Sequence, residues 1–151
     1  MKLAEALSER SALKDRMSML SKRLQENAFV YEGDEPLDDP KEMLKELEML
    51  TKRNEELVSS INMANANTKA SNGEVLAVLL ARRDSLITKS QVLSKLLESN
   101  PHDPYSSRTK DTVRRVPVVD MRTVRLEMEE ASKKAREIDA LIQATNWNTE
   151  I

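Results

Sequence analysis

Few residues in this 151-residue sequence combine a reactive type with a spacing that chemistry can use. The best placed are Arg10 and Arg83, each in a hydrophobic stripe at a position where an apolar side chain belongs. A guanidinium there has to meet a carboxylate or reach solvent, because an unpaired buried charge costs on the order of several kcal/mol. If Asn27 faces Pro40 across the first turn, antiparallel geometry sets Arg10 beside Glu56. The same count from Asn100 and Asp120 sets Arg83 beside Glu137. These four residues read in two ways: as two register-setting ion pairs, or, through the arginines, as a site for a carboxylate or phosphate.

The second group is rich in asparagine. Asn62, Asn65 and Asn67 close one helix, and Asn146, Trp147 and Asn148 close another. Asparagine tolerates left-handed backbone and its amide satisfies loose carbonyls, so C-capping is one reading, with Trp147 anchoring the tail. A polar ligand pocket at the open ends of two hairpins is the other. His102, the sole histidine, stands beside Asp103 without the further ligands that zinc needs. Glu32, Asp34, Glu35, Asp38 and Asp39 form an acidic loop that lacks calcium-loop spacing. Arg108, Lys110, Arg114 and Arg115 make a basic loop, interrupted by Asp111. There is no glycine-rich phosphate cradle, no Ser/His/Asp set and no cysteine. No catalytic constellation is visible, which leans against an enzyme without excluding one, and these spacings give no metal-ligand set and no cofactor motif.

Four helices must position these residues. Apolar side chains recur at alternating steps of three and four, which marks a narrow stripe facing another helix in coiled-coil fashion. The first run is Leu3, Ala6, Arg10, Leu13, Met17, Leu20 and Leu24. The second is Met43, Leu47, Leu50, Asn54, Leu57 and Ile61. Leu76, Leu79, Arg83, Leu86, Ser90, Leu93 and Leu97 make the third. Met121, Val124, Met128, Ala131, Ala135, Ile138 and Ile142 make the fourth. Asp39-Pro40 reads as N-cap and first helical residue, Asn72-Gly73 as a turn, and Asp120 as another N-cap. Each helix of about 25 residues spans roughly 37 Å. Phe29 to Tyr31 and Val116 to Val119 are short β-prone stretches that suggest a small ribbon between the inter-helix loops, in one chain or with a neighbour.

The two halves match each other. At an offset of 73, Leu3, Ala4, Leu7, Arg10 and Leu13 fall on Leu76, Ala77, Leu80, Arg83 and Leu86. Further along, Leu20, Ser21, Lys22, Leu24 and Asn27 fall on Leu93, Ser94, Lys95, Leu97 and Asn100. At an offset of 81, Asp39, Glu48, Glu56 and Ile61 fall on Asp120, Glu129, Glu137 and Ile142, and Asn65, Asn67 and Thr68 fall on Asn146, Asn148 and Thr149. Helical periodicity alone would align leucines, but not also an arginine, a Ser-Lys pair and an Asn-x-Asn-Thr. The expectation is an all-α domain of two long antiparallel hairpins, residues 1–67 and 74–149, arranged as four helices by internal duplication. Leu7, Leu44, Val58, Leu80, Leu96, Leu126 and Leu141 widen the stripes beyond one seam, which favours a homo-oligomer.

With 33% charged residues and a net charge of −2, nothing draws the chain to nucleic acid or an anionic membrane. Glu5 and Glu9 stand where a signal peptide needs an apolar run, and no apolar stretch is long enough to span a bilayer, so a cytoplasmic location is expected. MKLAEAL…ER at the start, NAFVYEGDEP, LARRD, VPVVD and the closing TNWNTE together resemble the small bacterial septicolysin-like family, over nearly the whole chain. That resemblance implies a helical, homo-oligomeric protein, and its name implies an oxygen-labile, membrane-active cytolysin; this sequence departs from that expectation in having no cysteine. Three functions follow as expectations: a non-catalytic oligomeric scaffold or interaction protein, a cytolysin, or a binder of a small anion, other ligand or metal through Arg10, Arg83 and the Asn-rich ends.

Overall fold

The computed structural model describes residues 1–99 and 116–151, and these contain four helices. They are α1 Leu3–Asn27, α2 Pro40–Asn67, α3 Leu76–Glu98 and α4 Met121–Asn148. Their limits follow local chemistry. Asp39 caps α2 by accepting the Lys41 N–H at 2.9 Å, with Pro40 supplying a preset φ at the first position. Asp120 caps α4 in the same way, accepting the Arg122 N–H at 3.0 Å. Glu5 accepts the Lys2 N–H at 2.7 Å at the start of α1. Gly73 holds φ at 84° in the turn between α2 and α3, where a side chain would be strained.

The chain forms two compact units. The first comprises Met1–Leu76 with Gln143–Ile151. Within it α1 and α2 run antiparallel, joined by Arg16–Glu46 at 2.7 Å and Arg23–Asp38 at 2.8 Å. Leu20, Met43 and Leu50 are buried between them, with Leu13, Met17, Leu24 and Leu47 packed around. Leu3, Ala6, Leu57 and Ile61 continue the buried stripe. The tail closes on the first residues: the Leu3 N–H donates to the Thr149 carbonyl and the Ile151 N–H to that of Met1, both at 2.9 Å.

The second unit is Ala77–Ile142. Here α3 and α4 run antiparallel. The Ser90 and Ser132 hydroxyls are 2.6 Å apart, and Lys89 meets Glu127 at 3.1 Å. Leu79, Ala131, Ala135 and Ile142 are its buried apolar residues. From Leu80 to Glu98 no α3 side chain is buried.

The β-prone stretches form no strand among the described residues; isolated antiparallel bridges join Lys2 to Glu150 and Lys69 to Val75 instead. Phe29 to Tyr31 runs straight into a turn closed by the Asp34 N–H on the Tyr31 carbonyl at 2.9 Å. With Gly33 at φ 97° and Pro36 after it, that run is too short and too bent to pair.

Candidate functional site

Both expected ion pairs are corrected. Glu56 meets Arg53, at 3.3 Å, and not Arg10. Arg53 also grips Glu9 with two bonds, Nε–Oε1 at 2.7 Å and Nη2–Oε2 at 3.0 Å. The cause lies in the loop. Asn27 does not face Pro40: its side-chain oxygen accepts the Asp38 N–H at 2.9 Å, and Arg23 clasps the Asp38 carboxylate. That clasp sets the register of α2, so the residue across from Glu9 is Arg53.

In the second unit Arg83 bonds Asp139 at 2.9 Å and its neighbour Asp84, not Glu137. Two helical residues subtend about 200°, so Glu137 projects away from the side of α4 that carries Asp139. Arg53 and Asp139, the partners that sequence spacing missed, flank the apolar stripes. The Arg53–Glu56 spacing of three was the one signal available in advance for the first.

Arg10 occupies a different setting. Its Nε is buried without a hydrogen-bond partner, and so is Asn54 Oδ1. Counting along the seam from the Leu20, Met43 and Leu50 cluster, Arg10 and Asn54 are the next positions on their two helices, so they share one layer. The first hairpin therefore carries a single polar layer between two apolar blocks. Arg10 belongs to the first unit and Arg83 to the second.

Arg83 lines a groove of about 590 Å³ between α3 and α4, with Ile87, Ser90, Ser132, Ala135, Arg136 and Asp139 among its walls. Small residues open it: at the aligned positions of the first hairpin, Met17, Thr51 and Asn54 stand where Ser90, Ser132 and Ala135 stand here. Hydrogen bonding to Asp84, and then to Asp139, raises the Arg83 pKa above that of a free guanidinium. Its charge is therefore already matched. The groove offers apolar contact and hydroxyls, but its lining holds no histidine, cysteine or lysine for proton transfer or attack.

Asn67 and Asn148 each turn their amide back onto the carbonyl four residues earlier, Met63 and Ala144, both at 2.8 Å. Asn146 is buried, Asn65 half-buried and Asn62 exposed. Trp147 is 60% exposed, so it does not anchor the tail as expected. A second depression of about 440 Å³ touches one asparagine of the six-residue set, Asn67. Among the described residues no group of three or more His, Cys, Asp or Glu is placed to hold a metal, and no helix is long and apolar enough to cross a membrane. His102 and the basic positions Arg108, Lys110, Arg114 and Arg115 lie outside the described residues.

One charged contact has a pH signature. The Arg53 guanidinium holds the Glu9 carboxyl below its ordinary range. A depressed folded-state pKa stabilises the fold above the unfolded value, and that contribution is lost as pH falls through the folded one. Glu9→Gln is therefore expected to lower the melting temperature slightly at neutral pH, with the gap to wild type closing below the ordinary carboxylate pKa. Thermal melts of both proteins across acid pH check this; a gap that does not change with pH would show that the Glu9 charge contributes nothing.

No curated protein matches the chain significantly. Among solved structures, a functionally unknown conserved protein from Corynebacterium diphtheriae is similar at 38% identity and a TM-score of 0.90, over 100% of this chain and 98% of that one. A family model described as a family of unknown function, DUF6847, matches residues 10–151. The chain belongs to that family.

Proposed function

We propose that the protein is a non-catalytic helical scaffold that works as a homo-oligomer, assembled from two copies of one αα unit. One observation carries the self-association. α3 carries apolar residues on more than one side, among charged and polar ones, yet none of its side chains from Leu80 to Glu98 is buried. Ile87 lies on the groove side, while Val78, Val92 and Leu96 fall together on the far side, exposed by 49%, 60% and 37%. Val92 and Leu96, one turn apart, make a small exposed apolar patch on that side, which suits a contact surface with a second copy as its simplest cover.

Duplication is supported by contacts that repeat at the sequence offsets. Leu76 N–H to Thr68 carbonyl repeats Leu3 to Thr149, and Ala70 N–H to Glu74 carbonyl repeats Ile151 to Met1, all at 2.9 Å. The Asp39 and Asp120 caps and the Asn67 and Asn148 back-bonds repeat as well.

Val92→Glu with Leu96→Glu places two like charges in that patch and is expected to convert the assembly to monomer while helicity is kept. Light scattering and circular dichroism read the two quantities separately. An unchanged oligomer mass in the double variant would remove α3 from the interface.

A further inference from the structure

The tip of the first hairpin, residues Asn27 to Asp39, is a shaped surface for which neither the fold nor the scaffold reading has a use. It presents Phe29, Tyr31 and Leu37 at 88%, 86% and 99% exposure. These side chains are not left out by a loose loop. Asn27 is buried at 7% exposure, donates to the Arg23 carbonyl at 2.9 Å and accepts the Asp38 N–H at 2.9 Å. The Arg23–Asp38 ion pair and the Tyr31–Asp34 turn fix the remainder. A loop held from both ends that turns aromatics to water is organised for contact, because the ordering cost of binding is already met.

Charge indicates what it contacts. Residues 28–39 hold five acids and no base. Asp38 is paired with Arg23 and Asp39 caps α2, whereas Glu32, Asp34 and Glu35 are exposed. The aligned connection in the second repeat has the opposite sign: Arg108, Lys110, Arg114 and Arg115 against Asp103 and Asp111. It leads into Val116, Val118 and Val119, which are exposed by 66%, 97% and 46%. The two segments that align between the helices thus differ in sequence, one acidic and aromatic, the other basic and β-branched.

We propose that the α1–α2 tip docks the α3–α4 connection of a second copy, cations on Glu32, Asp34 and Glu35 and valines against Phe29, Tyr31 and Leu37. This rests on the self-association reading and adds a contact to it. Around a twofold axis the contact occurs twice, since each copy brings one loop of each sign. Opposite charges at close range orient such a contact, and like charges in it are strongly unfavourable.

The test is a charge swap read by light scattering at low salt. Glu32→Lys, Asp34→Lys and Glu35→Lys together are expected to weaken self-association by about tenfold or more. Arg114→Glu with Arg115→Glu and Lys110→Glu is expected to do the same. The chain carrying all six changes is expected to associate again within about threefold of wild type. Glu32, Asp34 and Glu35 lie outside the helices, and helicity by circular dichroism checks folding of every variant. If either triple variant associates like wild type, the tip contacts something other than this segment, and the proposal is overturned while the α3 interface stands. Failure of the six-fold variant to recover overturns it too. A wild type that is monomeric removes both this contact and the reading beneath it.

Discussion

Ile61→Ala and Ile142→Ala are each expected to lower stability by about 3 kcal/mol, and by similar amounts. The two side chains are 2% and 1% exposed, among the most completely buried in the described chain. Truncation to alanine removes about three methylene-sized groups and leaves a cavity that two long, stiff helices cannot collapse to fill. The residues correspond at the 81 offset but lie in different compact units. Equal losses would therefore reflect equivalent surroundings at the two positions. Leu86→Ala, at a half-buried position, serves as the comparison and should cost about 1 kcal/mol. Urea denaturation of the three variants gives the values. A loss at one isoleucine under a third of that at the other would argue against equivalent surroundings.

Replacing the polar layer of the first hairpin should act in the opposite direction. Arg10→Leu combined with Asn54→Leu is expected to raise stability by about 1–3 kcal/mol. Arg10 Nε and Asn54 Oδ1 are buried and lack partners, so each carries a desolvation cost with no hydrogen bond to offset it. Leucines in both places would join the Leu13 and Leu50 layer to that of Ala6 and Leu57, making one unbroken apolar stripe. What the polar layer supplies is register. Antiparallel helices with uniform leucine seams slide by whole turns at little cost, and one layer that tolerates no apolar neighbour prevents this. The double variant should accordingly be harder to unfold but less uniquely aligned, with broadened amide resonances in α1 and α2. A destabilised double variant would mean that the guanidinium gains more from its surroundings than the two unpaired atoms lose.

These two layers also show what the sequence could and could not convey. The helices were legible almost to their ends, because alternating three–four spacing, Asp39-Pro40 and Asp120 are local signals that the backbone obeys locally. The Arg10 and Arg83 seam positions were legible for the same reason. Their partners were not. Pairing across a hairpin depends on how the loop closes, and the Arg23–Asp38 pair goes with a register in which Glu9 meets Arg53, away from the count that began at Pro40. For Arg83 the error was two residues, which on a helix is the difference between facing a neighbour and facing away. Asn67 and Asn148 behave as caps, a short-range function that spacing does disclose. Neither the hollowed α3–α4 groove nor the exposure of Trp147 could be anticipated, since both depend on what lies alongside a helix and not on the helix itself. Of the residues that widen the stripes past one seam, Leu96 of α3 and Leu126 of α4 are exposed, whereas Leu80 is half-buried.

The most direct measurement of the scaffold account is the solution mass of the unmodified chain by light scattering over a wide concentration range. The account predicts a species of at least twice the 17.2 kDa chain mass, persisting on dilution and lost in the Val92→Glu, Leu96→Glu variant. A mass of 17.2 kDa at the highest soluble concentration would contradict it, because the apolar side of α3 would then be stable in water with nothing to cover it.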